Sequence, residues 1–292
     1  MRTRIDGSTT MIVETYQYGS LRNRLARLRQ LFRGRFHRKF ARDVKLLQAF
    51  LPPTGVHFDI GANHGRFALE LARQCGKDCR ILAFEPLAYN SRVLERLIAD
   101  RKNVESFRIA LSDKEDQLDF YVPLAGDGTL DHGGSFVARP DDASEVASSP
   151  RVFLHEVVAA ERLDHFVDRH PVERLDFLKI DVEGHEQSVI TGALRILSKF
   201  RPSILMEIHG RLSFRSGFNP CGAVRALANL GYRFFDLDRR DEGRWCEQVE
   251  EVTEPIRKAP KGHDVLCWHP EGPVPGTPPP FGIEFSKTRF GT

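Results

Sequence analysis

Two hydrophobic periods divide the chain. Between residues 21 and 47, Leu21, Leu25, Leu28, Phe32, Phe36, Phe40, Val44 and Leu47 recur at steps of three or four, which is one apolar face of a helix. Gly34 is the point where that helix can bend or split, and Pro52, Pro53 and Gly55 end it. From Val56 the pattern changes to short apolar runs separated by helical stretches. Residues 56–60, 80–84 and 104–109 read as strands; one helix begins over 67–72 and another spans 91–100. Such alternation predicts a parallel sheet with helices on both faces.

Farther on, residues 117–122 read as an extra short strand. Residues 123–151 are rich in Gly, Asp, Ser and Pro and read as a long functional loop. Regular structure is expected to resume with a helix over 163–167. Strand 176–182, helix 186–197, strand 203–208, helix 220–230, strand 232–236 and strand 264–268 follow. Pro273, Pro275, Pro278, Pro279 and Pro280 make the tail an extended coil. The expected organisation is a basic helical arm over 1–51, an α/β domain over 52–270 and a Pro-rich tail over 271–292.

Composition is that of an ordinary soluble protein, with 41% hydrophobic and 28% charged among 292 residues. A domain of this size buries enough surface to need no disulfide or metal. The five cysteines (Cys75, Cys79, Cys221, Cys246, Cys267) include no CxxC pair. That odd count, an N-terminus without an apolar signal core and the lack of a bilayer-length apolar run lead to the expectation of a cytoplasmic protein.

Charge changes the picture more. Residues 22–45 hold ten Lys or Arg against the single acid Asp43, so of the net +3 this segment supplies +9 and the remainder −6. A general nucleic-acid binder carries cations across its main domain as well, so nucleic acid is the less favoured partner. A basic amphipathic helix suits an anionic membrane surface, which makes residues 21–47 a candidate peripheral anchor. The apolar stripe of the same helix also offers a face that can pack on the main domain.

The first strand-to-helix turn reads Asp59-Ile60-Gly61-Ala62-Asn63-His64-Gly65. Gly61 permits a sharp turn, Gly65 permits close packing at the helix start, and Asn63 stands at a position that tolerates positive φ. The turn lacks both the dinucleotide pattern and the phosphate loop. A carboxylate at Asp59 would repel a pyrophosphate and suit the ammonium of a methionine moiety. Glu85, twenty residues after Gly65, has the spacing of an acid that accepts hydrogen bonds from ribose hydroxyls. After the third strand, Leu111 could cover an adenine ring, and Ser112 or Asp113 could meet its exocyclic amine. These residues predict a site for S-adenosylmethionine. An NAD-dependent oxidoreductase, or a non-catalytic RNA- or membrane-binding module, is the competing reading.

The runs DIGANHG, FEP, RIALSDKE, LDFLKIDVEGHE and PSILMEIHG resemble the FkbM family of S-adenosylmethionine-dependent methyltransferases in order and spacing, from about Val56 to Gly210. The resemblance implies a Rossmann-like fold, a seven-stranded mostly parallel sheet with an antiparallel final strand, and O-methylation of a hydroxyl on a sugar, glycan or other small molecule. It maps the cofactor loop to Asp59, Gly61, Asn63 and Gly65, the ribose acid to Glu85 and the fourth-strand signature to Asp181, Glu183 and Gly184. Gly133-Gly134-Ser135 resembles a short motif of the variable loop.

In the family's strand order Asp181 should border the sulfonium. Lys179, Asp181 and Glu183 alternate along one strand end, and Glu207 and His209 along the next. Methyl transfer to a hydroxyl needs alignment and a base; Asp181, Glu183 and His209 are the candidates, with Lys179 beside them. Each alone has a structural alternative, such as a Lys179–Glu183 ion pair or a His209 bond to a loop carbonyl. Asp181, Glu183, Glu207 and His209 could also take a divalent ion; no metal is assigned. An Asn/Asp-Pro-Pro-Tyr/Phe motif, which amino-group methylation of a base would call for, is replaced by Asp181-Val182-Glu183-Gly184.

Overall fold

The computed structural model describes residues 3–4, 12–13, 21–36, 40–126, 129–130, 135–138, 152–209, 219, 221–237, 245–246, 248–258 and 262–274. Gly133, Gly134 and most of the Pro-rich tail lie outside the described residues.

The expected parallel sheet is present. Strands β3 (Val56–Ile60), β4 (Arg80–Phe84), β5 (Val104–Phe107), β10 (Phe177–Ile180), β11 (Ser203–Ile208), β12 (Arg233–Asp236) and β13 (His263–Trp268) form it in the order β12-β13-β11-β10-β3-β4-β5. Pairing is parallel from β11 to β5, while β13 runs antiparallel between β11 and β12. This is the seven-stranded Rossmann-like arrangement, with one antiparallel strand near the edge.

Both faces are covered, so the strands are mostly apolar. Ile81 and Ala83 enter one cluster with Phe67 and Leu71 of α3 (Arg66–Gln74) and Leu94 of α4 (Ala88–Ile98). Leu82 and Phe84 enter the other, with Phe166 of α5 (Leu163–Arg169), Val189 of α6 (Glu186–Thr191), Leu197 of α7 (Leu194–Phe200) and Val224 of α8 (Gly222–Asn229).

Four local expectations are corrected. The helix expected over 186–197 is two, because Gly192 passes Ser112 so closely that a Cβ would stand 1.9 Å from the Ser112 carbonyl oxygen. Asp164 then starts α7 by accepting from the Ile196 and Arg195 amides at 3.0 and 3.2 Å. The region before residue 163 is not all loop: β8 (Phe136–Ala138) and β9 (Phe153–Glu161) pair with β7 (Asp116–Pro123) in a second sheet, joined by β6 (Ala110–Leu111), β2 (Ile12–Val13) and β1 (Thr3–Arg4). The polar and small residues of FLHEVVAAE hide a nine-residue strand whose faces alternate only weakly. A helix α9 (Glu250–Lys258) was also not legible, since Pro255 stands inside it.

The fourth correction concerns the arm. Its described residues hold α1 (Leu21–Phe36), with Gly34 inside it, then α2 (Ala41–Leu46) and a 3-10 turn over Leu47–Phe50. Val44, Leu47 and Phe50 are buried against the domain, as a packing helix requires, but the stripe on α1 is not: Leu25, Leu28 and Phe32 are 57%, 59% and 58% exposed.

Candidate active site

The carboxyl ends of β3, β4 and β10 open into a cleft at the point where strand order reverses, the usual ligand position in such sheets. Its floor is the loop after β3. Gly61 has φ 73°, and a Cβ there would lie 1.8 Å from the Asp181 carbonyl oxygen, so only glycine fits between the two strand ends. The Gly61 and Ala62 amides donate to the Phe84 carbonyl at 3.0 and 2.9 Å, which locks the loop onto β4. Asn63 adopts φ 52°, the conformation its residue type allows.

Glu85 lies at the end of β4 and is buried, yet lines the cleft. It accepts from the Asn63 amide at 2.8 Å, the Leu87 amide at 3.0 Å and Asn90 Nδ2 at 3.2 Å. Burial nonetheless pushes its carboxyl up to about 7. The Oδ1 atoms of Asn63 and Asn90, two cleft-lining residues, are buried with no hydrogen-bond partner among the described residues. Buried acceptors of this kind call for donors from a ligand, and a ribose offers hydroxyls. Leu111 and Ile109 supply an apolar wall, so the cleft fits a nucleoside.

Several expected contacts fall elsewhere. Asp59 alternates away from the cleft onto the α3 face and is fully buried, where it accepts from the Ala68 amide at 3.0 Å. Lys179 faces it across the parallel pair, 3.3 Å from Asp59 Oδ1, 3.3 Å from Asp181 Oδ2 and donating to the Gly61 carbonyl at 3.0 Å. Both residues brace the loop, and neither is among the residues that line the cleft. Ala62 and Gly65 pack below it; Gly65, at φ 76°, caps α3 against Leu94. Ser112 is buried, with its hydroxyl 3.0 Å from His185 Nε2. His185 is the side chain that reaches the cleft instead, and burial pushes its pKa down to about 4, so it is neutral.

The acid cluster forms at the same end of the sheet. His209 follows β11; its Nδ1 is 3.5 Å from Glu183 Oε2, and its Nε2 is 3.4 Å from Glu207 Oε1 and 3.8 Å from Asp181 Oδ1. Burial alone would lower His209, but Asp181, Glu183, Glu186 and Glu207 together raise it to about 10, so it is an imidazolium at neutral pH. Burial would raise Asp181, yet Lys179 and His209 hold it well below the usual carboxylate range. Glu183 differs: burial dominates and brings it up to about 8. Its backbone has φ 52°, a left-handed conformation that a Glu rarely takes and that turns the chain toward the cleft. Asp181, Glu207 and His209 hold ligand-type atoms within 4.8 Å of one another.

Sequence reasoning missed the roof. Phe120 and Val137 of the second sheet line the cleft, together with Ser135 of the Gly133-Gly134-Ser135 motif, which the sequence did single out. The alternation in β7 could have marked Phe120 as inward-facing, but nothing local says which surface β7 covers. Asn90 had a weak signal, as a polar residue on an otherwise apolar helix face.

A 206-residue stretch is 32% identical to the AMB antimetabolite synthetase AmbE of Pseudomonas aeruginosa, covering 62% of this chain but only 9% of the synthetase. Methyltransferase FkbM from Methylobacillus flagellatus is similar in structure, at 13% identity and a TM-score of 0.44 over 74% of this chain and 44% of that one. Aeropyrum pernix fibrillarin, solved with S-adenosyl-L-methionine, aligns at 16% identity and a TM-score of 0.40 over 75% and 67%. The model of the methyltransferase FkbM domain matches residues 59–234, and the chain belongs to that family.

Proposed function

We propose that the protein transfers a methyl group from S-adenosylmethionine to a hydroxyl of a small-molecule or glycan acceptor, with Glu183 as the general base. The observation that carries this reading is the division of charge at the cleft mouth: among Asp181, Glu183 and His209, Glu183 alone titrates near neutrality. A base works best when its pKa lies near the working pH. Asp181 is too weakly basic and His209 already carries its proton.

Bound in the cleft, S-adenosylmethionine supplies a methyl carbon on a sulfonium that departs as a neutral thioether when an acceptor oxygen attacks in line. Glu85, Asn63 and Asn90 would hold the ribose, and Leu111 and His185 the base. Glu183 would take the hydroxyl proton as the carbon–oxygen bond forms. His209 would hold Glu183 in place and offset the carboxylate charge around it. A small-molecule acceptor agrees with the likeness to a synthetase of an antimetabolite.

The test has two stages. Calorimetry should show binding of S-adenosylmethionine and S-adenosylhomocysteine and none of NAD. Incubation with methyl-labelled S-adenosylmethionine and fractionated cell extract should then label a small or glycan product whose methyl is ether-linked. Binding of NAD alone, or label on nitrogen, would overturn the reading.

A further inference from the structure

We propose that α1 is an interfacial helix that seats the protein on an anionic lipid surface. The inference concerns α1, none of whose residues lines the cleft, and does not depend on methyl transfer. The helix lies along α3 and α4 with its polar side inward. Asn23 and Gly34 are its buried residues, and a Cβ on Gly34 would come 2.7 Å from Leu97 Cδ2. Gln30 accepts from Arg66; Arg73 donates to the Arg35 carbonyl at 2.8 Å; Arg35 pairs with Asp100 at 3.0 Å. A surface helix of a globular domain buries its apolar stripe, and this one turns it outward.

Leu21, Leu25, Leu28, Phe32 and Phe36 are between 57% and 73% exposed. Among the described residues seven large hydrophobic side chains are exposed, and these are five of them. A contiguous stripe of this kind marks an interaction surface. The flanks say what covers it. At about 100° per residue, Arg22, Arg29 and Arg33 run along one edge of the stripe and Arg24 and Arg35 along the other. All five are exposed, and no acid occurs in α1.

Three occupants can be compared on that charge. A second copy of the chain would bring two arginine rows together, which repel. RNA would meet the guanidinium groups and leave five apolar side chains in water. A bilayer with anionic headgroups accepts both parts: the apolar stripe enters the acyl boundary and the arginines lie at headgroup phosphates. This outward segment differs from α2, whose Val44 belongs to the core.

The experiment is sedimentation of the full chain with vesicles of phosphatidylcholine alone and of phosphatidylcholine with phosphatidylserine. We expect binding to the anionic vesicles, weakened by salt, and little to the neutral ones. Arg22→Glu/Arg29→Glu/Arg33→Glu should lower the partition coefficient by about 100-fold, and Leu25→Ser/Leu28→Ser/Phe32→Ser should abolish sedimentation. Both variants should keep the wild-type melting temperature and cofactor affinity, because the substituted residues are exposed. Absence of wild-type sedimentation, or sedimentation unchanged in the two variants, overturns the proposal. So does a dimer that the serine variant dissociates, or RNA binding without vesicle binding.

Discussion

His209 Nδ1 lies 3.5 Å from Glu183 Oε2, joining the end of β11 to the left-handed turn that follows β10. The two groups hold each other's charge: the glutamate helps raise the imidazole to about 10, and the imidazolium restrains the burial that brings the glutamate up to about 8. A base that must lose its proton before it can accept one gives a rate that rises with pH. We therefore expect kcat to rise through about pH 8 as Glu183 ionises, and to fall through about pH 10 as His209 loses its proton and Glu183 loses its partner. Glu183→Gln should lower kcat by about 100-fold or more with unchanged cofactor affinity. His209→Asn should move the acid limb to higher pH, since it removes the group that lowers Glu183. A kcat profile that is flat between pH 7 and 9 would exclude Glu183 as the base.

Glu85 supports a separate expectation about binding. Its carboxyl titrates near 7 because burial outweighs three hydrogen bonds. Ribose hydroxyls donate more strongly to the ionised form, so the affinity for S-adenosylhomocysteine should increase as pH rises from 6 to 8. In Glu85→Gln that dependence should vanish, and Glu85→Ala should weaken binding by roughly 1–3 kcal/mol. Calorimetry at three pH values decides it; equal affinity in wild type and Glu85→Ala would take the ribose away from this residue.

Backbone shape gives a third. Gly61→Ala meets both a φ of 73° and a carbonyl oxygen 1.8 Å from the new Cβ. Strain of the first kind alone costs about 1–3 kcal/mol, and the clash forces the β3 and β10 ends apart. The variant should unfold at a clearly lower denaturant concentration and lose cofactor binding. Gly76→Ala is the control: it shares the positive φ but has nothing within 4 Å of a Cβ, so only the strain should appear.

How much of this was legible in the sequence follows the range of the interactions. Period and turn chemistry are local, so β3, β4, β11 and the Asp59–Gly65 loop could be read directly, including the positive φ at Asn63. Meeting of Asp181, Glu183 and His209 required strand order, which came from the resemblance and not from periodicity. The orientation of α1 was not readable, because an apolar stripe predicts only that one face differs, not that Gly34 and Asn23 supply the packing surface. Strand β9 and the roof it supports were missed because a strand of His, Glu, Ala and Val carries little period-2 signal and depends on β7 for its definition. Asp59 was read as a ligand contact because spacing locates a residue in a loop but cannot say which sheet face the strand before it presents.

That last difference yields a stability prediction. Asp59 is wholly buried, and Lys179 is the cation that meets it, shared with Asp181. Burial raises the Asp59 carboxyl, and Lys179 opposes that rise. Removing one member of a buried ion pair leaves an uncompensated charge and typically costs about 3–5 kcal/mol, more than the pair itself contributes. Lys179→Met should therefore destabilise the protein by roughly that amount in urea unfolding. Without its cation the folded-state pKa of Asp59 rises further above the unfolded value. Stability linked to a raised pKa is present at low pH and lost as pH climbs through the folded value, so the deficit should be smaller at pH 5 than at pH 8. Asp59→Asn/Lys179→Met should recover part of the loss, because the amide still accepts from the Ala68 amide and carries no charge. A single variant that loses less than about 1 kcal/mol at pH 8 would mean that water or Asp181 can replace the lysine, and the positioning role given to the Asp59–Lys179 pair would fall with it.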